Sequence, residues 1–227
     1  MSSAVPDTWQ DFIASPARSV ALRWLSAMLG DVADEATQTA LAQHPRFEQR
    51  LVERLIAQHK LTPPAALPVP AEEDIALFRL SPDAGSDLVR HCGMICHAPL
   101  FVREIRAPRV VALKERFGEA PFLAALANRE LAIVDTGNAH VDDDALAHAV
   151  QRDGLACFAV WLSRQPTELA NWLRLGIAED RRLSQAQGTS QEASPDDLEI
   201  APAVREKGID IVRRAASAML KRGELTP

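Results

Sequence analysis

The sequence contains no tyrosine, three cysteines and only ten glycines in 227 residues. Three cysteines (Cys92, Cys96 and Cys157) are too few, and odd in number, for a disulfide framework, and they fit a reducing compartment. Scarce glycine, fifteen prolines and no tyrosine leave little material for β-hairpins. The longest uninterrupted apolar run, Gly154 to Leu162, is about half the length that a membrane-spanning helix requires. The first basic residue is Arg18, and Asp7 and Asp11 precede it, so no signal-peptide n-region is expected. Positive charge is also short. The 25 Lys and Arg face 31 Asp and Glu, for a formal net charge of -6. That balance argues against a protein whose main work is neutralising a phosphate backbone.

What is present is helical. Hydrophobic residues make up 47% and charged residues 25%, the proportions of a globular protein. A chain of this length buries roughly 70% of the surface its unfolded form exposes, so it can build a core without metal or disulfide staples. No segment alternates with period two, and the Asp153-Gly154 pair lies inside a helical pattern rather than at a hairpin turn. A period of 3.6 recurs instead. Between Arg46 and Lys60 the apolar stripe is Phe47, Leu51, Val52, Leu55 and Ile56. From Asp142 to Ser163 the stripe runs through Leu146, Val150, Cys157 and Trp161, and its second half is apolar almost all round, which marks a central core helix. Ala203 to Lys221 carries Val204, Ile211, Val212, Ala215, Met219 and Leu220, with Gly223 as a stop. Pro16, Pro108 and Pro121 suit the first turns of further helices. The predicted fold class is all-α: short and medium helices with a tethered C-terminal helix.

The organisation expected is an N-terminal helical part over 1–61, a Pro-rich connection over 62–71 and a central block over 72–183. A flexible linker over 184–201 and a C-terminal helix over 202–222 follow. The connection (TPPAALPVP, 62–70) has four prolines in nine residues and reads as extended and semi-rigid. The linker (SQAQGTSQEASPDD, 184–197) lacks large apolar groups.

The densest group of soft ligands is His91, Cys92, Cys96 and His97. On a helix Cys92 and Cys96 share a face while the two histidines flank it, a fan of roughly 240° that cannot converge on one ion. A half site would need His140 or His148 to complete it. Small buried thiols are the simpler reading, and Cys157, set in Leu-Ala-Cys-Phe-Ala-Val, is expected to be inert for the same reason. Asp142, Asp143 and Asp144 could chelate magnesium, but acidic residues at a helix start also satisfy free N–H groups and complement the dipole. No nucleophile elbow, zinc-binding His-Glu-x-x-His, phosphate loop or dinucleotide fingerprint is present. No enzyme, metal or cofactor is expected. Arg103, Arg106, Arg109, Lys114 and Arg116 form a local basic patch, read either as a solvated face or as a docking surface for an acidic protein, with nucleic acid behind these.

Residues 88–178 carry a recognisable order: Leu88-Val89-Arg90-His91-Cys92-Gly93-Met94-Ile95-Cys96-His97, then Arg103 and Ile105, a helical block to Glu130-Leu131, Gly154-Leu155-Ala156, and finally Trp161, Pro166, Trp172, Arg174 and Leu175. This order resembles the SctK (YscK-type) proteins of bacterial type III secretion systems, and it covers about 90 of the 227 residues. The resemblance implies a non-enzymatic cytoplasmic adaptor of the sorting platform, peripheral to the inner-membrane base. Its partners would be the pod protein SctQ and the cytoplasmic domain of the inner-membrane ring protein SctD. Nucleic acid and membrane insertion are not implied, and the isolated chain is expected to be monomeric. The resemblance supplies no catalytic residue. It marks Gly93, His97, Arg103, Gly154, Trp161 and Trp172 as determinants of the fold, with close helix packing as the physical reason for the glycines and a structural or capping role for His97. Trp9 and Trp24, the three arginines Arg103, Arg106 and Arg109, and the C-terminal helix are the docking elements to consider, with ordinary core as the other reading of each Trp. Alternatives are a helical secretion chaperone, which would need a concave apolar groove, and a helical DNA-binding regulator.

Overall fold

A computed structural model describes residues 7–21, 24, 37, 40, 44–134, 142–176 and 201–223. Among them every regular element is a helix, and the fold is all-α. The chain divides into two compact units. One comprises Met1–Ser86, Gln165–Gln191 and Leu225–Pro227; the other comprises Asp87–Arg164 and Glu192–Glu224.

The first unit is organised by aromatic residues. Helix α1 (Asp7–Ala14) buries Trp9 and Phe12, whose rings stack at 5.4 Å. Phe78, in the 3₁₀ segment Glu72–Arg79, meets both rings edge-on at 5.4 and 5.6 Å. Trp172, from the helix Thr167–Gly176, closes the cluster on Phe12 at 6.4 Å. Its indole Nε1 donates a 2.8 Å hydrogen bond to the carbonyl of Thr62. The Pro-rich segment is thereby fastened to this core, and Leu67 within it is buried. Helix α2 (Pro45–His59) adds Leu51 and Leu55, with Val52 and Ile56 packed beside them. Phe47 departs from the expected stripe. It sits in the first turn of α2, exposed, against the His44 ring.

The second unit is built around one long helix. Helix α3 (Pro82–Cys96) starts at Ser81, whose Oγ accepts from the Ala84 N–H. Three shorter helices follow: α4 (Ala98–Arg103), α5 (Ala107–Phe117) and α6 (Glu119–Ala127). Gly118 stands between the last two at φ +94°, a conformation that suits glycine. Helix α7 (Asp143–Ser163) is capped by the Asp142 carboxylate and buries Leu146, Val150, Gly154, Cys157, Phe158, Val160, Trp161 and Leu162. It is the central helix that its all-round apolar pattern predicts. Helix α8 (Thr167–Gly176) belongs to the first unit, where the Leu175 carbonyl accepts from the Ala21 N–H.

Helix α9 (Pro202–Lys221) requires a correction to the expectation of a detachable C-terminal element. Its stripe of Val204, Gly208, Ile211, Val212, Ala215 and Met219 is buried, and a Cβ at Gly208 would lie 3.4 Å from the Cα of Cys157 in α7. Lys207 Nζ also donates to the Ala132 carbonyl. The periodic stripe is satisfied within the same unit. The two units also divide the chain differently from the expected central block. Residues 72–86 and α8 join the N-terminal part because Phe78 and Trp172 complete its aromatic core. The second N-terminal helix expected beyond Pro16 begins as a 3₁₀ turn (Pro16–Ser19) and otherwise lies mostly outside the described residues. The linker over 184–197 and His140 lie outside them altogether.

Candidate protein-docking surface

Of the residues marked by the family resemblance, Gly93, His97, Gly154, Trp161 and Trp172 belong to the packing, while Arg103 is exposed. Gly93 on α3 and Gly154 on α7 face each other's helices reciprocally. A Cβ on Gly93 would lie 1.9 Å from the Val150 carbonyl oxygen, and one on Gly154 would lie 2.0 Å from that of Val89. Each glycine thus sits one turn after the valine whose carbonyl the opposite glycine approaches, so no side chain fits at either point. One turn beyond Gly93, His97 Nε2 donates a 2.8 Å hydrogen bond to Asp153 Oδ2, and both groups are largely enclosed. His97 therefore holds α7, and its side chain does not cap α4. Arg152 also donates to Asp153. Burial pushes the Asp153 carboxyl up, but the hydrogen bonds from His97 and Arg152 outweigh it and hold it below the ordinary aspartate range. Trp161 is fully buried, 5.2 Å from the Phe158 ring.

The soft-ligand group resolves in the same way. Cys92, Cys96 and Cys157 are buried free thiols, and Cys96 Sγ lies 3.4 Å from Cys157 Sγ. That contact and burial push the Cys96 thiol far up, and burial does the same to Cys92. His91 Nδ1 is 2.8 Å from the Asp87 carbonyl oxygen. Among the described residues no group of three or more His, Cys, Asp or Glu side chains converges as a metal site. Of the two expected tryptophans, one is buried and one is partly buried. Trp9 is 3% exposed, and Trp24 packs against the same core with its ring 4.9 Å from His59.

Much of the basic patch is paired with carboxylates, two of which lie far from it in sequence. Arg109 pairs with Asp143, and Arg116 pairs with Asp144, so two of the three aspartates at the start of α7 clasp α5. The hydrogen bond from Arg109 pulls the Asp143 carboxyl below its ordinary value. Lys114 pairs with Glu119 at 2.8 Å. The third aspartate, Asp142, is the cap.

One part of this region keeps a free face of a different kind. Between α4 and α5 the chain is extended at Glu104 and again at Arg106, and Pro108 opens α5. Glu104 Oε1 accepts from the Arg106 backbone N–H and from its Nε, each at 2.9 Å, and Oε2 accepts from the guanidinium at 2.7 Å. These bonds pull the Glu104 carboxyl down to about 2. They clip the turn shut across the residue between them, Ile105, which is 89% exposed. Val102 before it and Val111 after it are exposed as well, as are Ala107, Pro108 and Ala112. Pro108, Val111 and Ala112 share one side of α5 by helical spacing. A single exposed apolar residue needs no explanation; several at one corner make it a candidate interaction surface. The sequence resemblance included Ile105 but not this role. The available signal was an isoleucine between two charged residues of opposite sign, just before a proline-started helix.

Among the described residues no helix is long and apolar enough to cross a membrane. Comparison with family models, with curated proteins and with solved structures finds no match to this chain.

Proposed function

We propose that this chain is a non-enzymatic cytoplasmic adaptor of the type III secretion sorting platform. It would link the cytoplasmic domain of the inner-membrane ring protein SctD to the pod protein SctQ. The observation that carries the reading is the residue order over 88–178 that resembles the SctK family. Its support in the fold is that Gly93, His97, Gly154, Trp161 and Trp172 are all buried in helix packing. A residue pattern spent on packing suits a protein whose work is done by its surfaces. Each of the two units has its own apolar core, and the α4–α5 corner exposes apolar groups that a partner would cover.

The test is pairwise co-purification. The tagged chain is co-expressed with SctQ and, separately, with the SctD cytoplasmic domain from the same operon. Capture of both in about 300 mM salt, where exposed charge pairs are largely screened, is the expected result. Capture of neither by a folded, helical preparation defeats the adaptor reading. A concave homodimer holding a secreted subunit, or DNA binding that falls steeply with salt, would then take its place.

A further inference from the structure

We infer that the outward side of α2 docks an acidic helix of a protein partner, one that sets a row of carboxylates against Arg46, Arg50 and Arg54. This surface lies outside the residues that carry the family resemblance, so it stands apart from the adaptor reading. The three arginines recur every four residues and therefore share one side of α2, with neighbouring Cβ atoms about 6 Å apart. All three are exposed. Among the described residues none of their guanidinium groups makes a hydrogen bond or an ion pair. Arginines of the second unit show the ordinary alternative: Arg106, Arg109, Arg116 and Arg152 each hold a carboxylate. Like charges four residues apart weaken a helix. Arg46 with Arg50, and Arg50 with Arg54, are two such pairs, and no bound carboxylate offsets them. Glu53, the acidic residue beside the row, accepts from Gln49 Nε2 at 3.1 Å instead.

Spacing and charge select the occupant. A second helix advances by the same rise of about 6 Å every four residues, so carboxylates at i, i+4 and i+8 meet all three guanidinium groups at once. Guanidinium and carboxylate match each other as planar, two-pronged groups. Phe47, 42% exposed, lies beside the row by helical spacing, one turn before Arg50 and two turns before Arg54. Its ring supplies an apolar contact for an aliphatic side chain of the partner. Ala57, exposed two turns beyond Arg50, leaves room for a second backbone to approach. A nucleic acid suits the row less well. The row is only about 12 Å long, Glu53 stands beside it, and a formal charge of -6 on the chain opposes a continuous polyanion. An anionic bilayer meets the same opposition, and the apolar side of α2 is already committed to the core through Leu51 and Leu55.

The probe is an alanine-rich, helix-forming peptide with glutamates at four-residue spacing along one side and a leucine next to the central glutamate. A second peptide has the same composition with its glutamates spread around the helix. Binding to the full chain is followed by fluorescence anisotropy in about 50 mM salt, where charge pairs are only partly screened. The ordered peptide is expected to bind, and the spread one to bind roughly tenfold more weakly. Arg50→Glu weakens the ordered peptide by about tenfold or more, and Phe47→Ser also weakens it. Arg164→Glu, the same charge change at an exposed arginine elsewhere, leaves it unchanged. Because Arg50→Glu removes two like-charge contacts, its melting temperature should equal or exceed that of wild type. A lower one would make the row a structural feature and overturn the docking role. Equal affinity for the two peptides, binding of neither, or equal losses in Arg50→Glu and Arg164→Glu overturns it as well. So does tighter binding of a single-stranded DNA oligonucleotide or of phosphatidylserine vesicles that Arg50→Glu abolishes, since the row then serves a polyanion. Each of these outcomes is independent of whether SctQ or the SctD cytoplasmic domain is captured.

Discussion

Gly154 and Gly93 show how much a single missing carbon decides. A methyl group at either position would overlap a backbone carbonyl of the facing helix, which no rotamer can relieve. Gly154→Ala and Gly93→Ala are each expected to lower unfolding free energy by about 1–3 kcal/mol, read as a shift in the urea midpoint. Because the two contacts belong to one crossing, the double variant should lose less than the sum, since the first insertion already separates the helices. A midpoint unchanged by Gly154→Ala would show that α3 and α7 do not approach as described. The thiols beside this crossing carry a second expectation. Buried and with Cys96 and Cys92 held in the protonated form, they should resist alkylation in the native state and react on denaturation. Rapid native labelling would contradict their burial. Some of this was legible in the residues. A glycine within an apolar helix pattern signals close approach. The partners were not legible: that His97 reaches Asp153, or that Gly93 meets Val150, depends on the register between two helices distant in sequence.

At the scale of elements, periodicity located α2, α7 and α9 to within a residue or so of their ends, because Pro or Asp marks their first turns and apolar spacing runs through them. Periodicity reports that a helix has an apolar face; it does not report what covers that face. For α9 the cover is α7, with Ile211 and Val212 fully buried. Ile211→Ala is therefore expected to cost about 2–5 kcal/mol in chemical denaturation. A helix on a loose tether would tolerate the change, so an unaltered midpoint would return α9 to the role of a detachable arm. The basic patch illustrates the same limit. Its arginines were visible in order, but the carboxylates that take Arg109 and Arg116 lie on α7, and pairing turns Arg109 from a docking group into a clasp. Charge reversal there would set two carboxylates against each other. Arg109→Glu should lower the melting temperature; an unchanged value would show that the clasp contributes nothing.

For the whole molecule, the division into two units had no sequence signature, because it falls inside the continuous helix α3 between Ser86 and Asp87, where composition does not change. Tertiary completion of each core sets it instead. Acid sensitivity is also a property of the whole chain. Asp143 and Asp153 are held below their ordinary aspartate value of 3.8, each by hydrogen bonds from cationic or histidine neighbours that prefer the ionised form. A carboxyl depressed on folding contributes stability that is full above its unfolded pKa and is lost as pH falls through its folded pKa. Protonation also removes the acidic excess, so that a formal charge of -6 gives way to net positive self-repulsion from 25 Lys and Arg and 6 His. The melting temperature should therefore fall steeply below about pH 4. Asp153→Asn should be less stable than wild type at neutral pH, because it removes a carboxylate that two donors favour, and the gap should narrow as the wild-type carboxyl protonates. If the two melting curves instead keep a constant separation across this acid range, Asp153 does not carry its charge into the packed crossing and the bonds from His97 and Arg152 are not what holds it there.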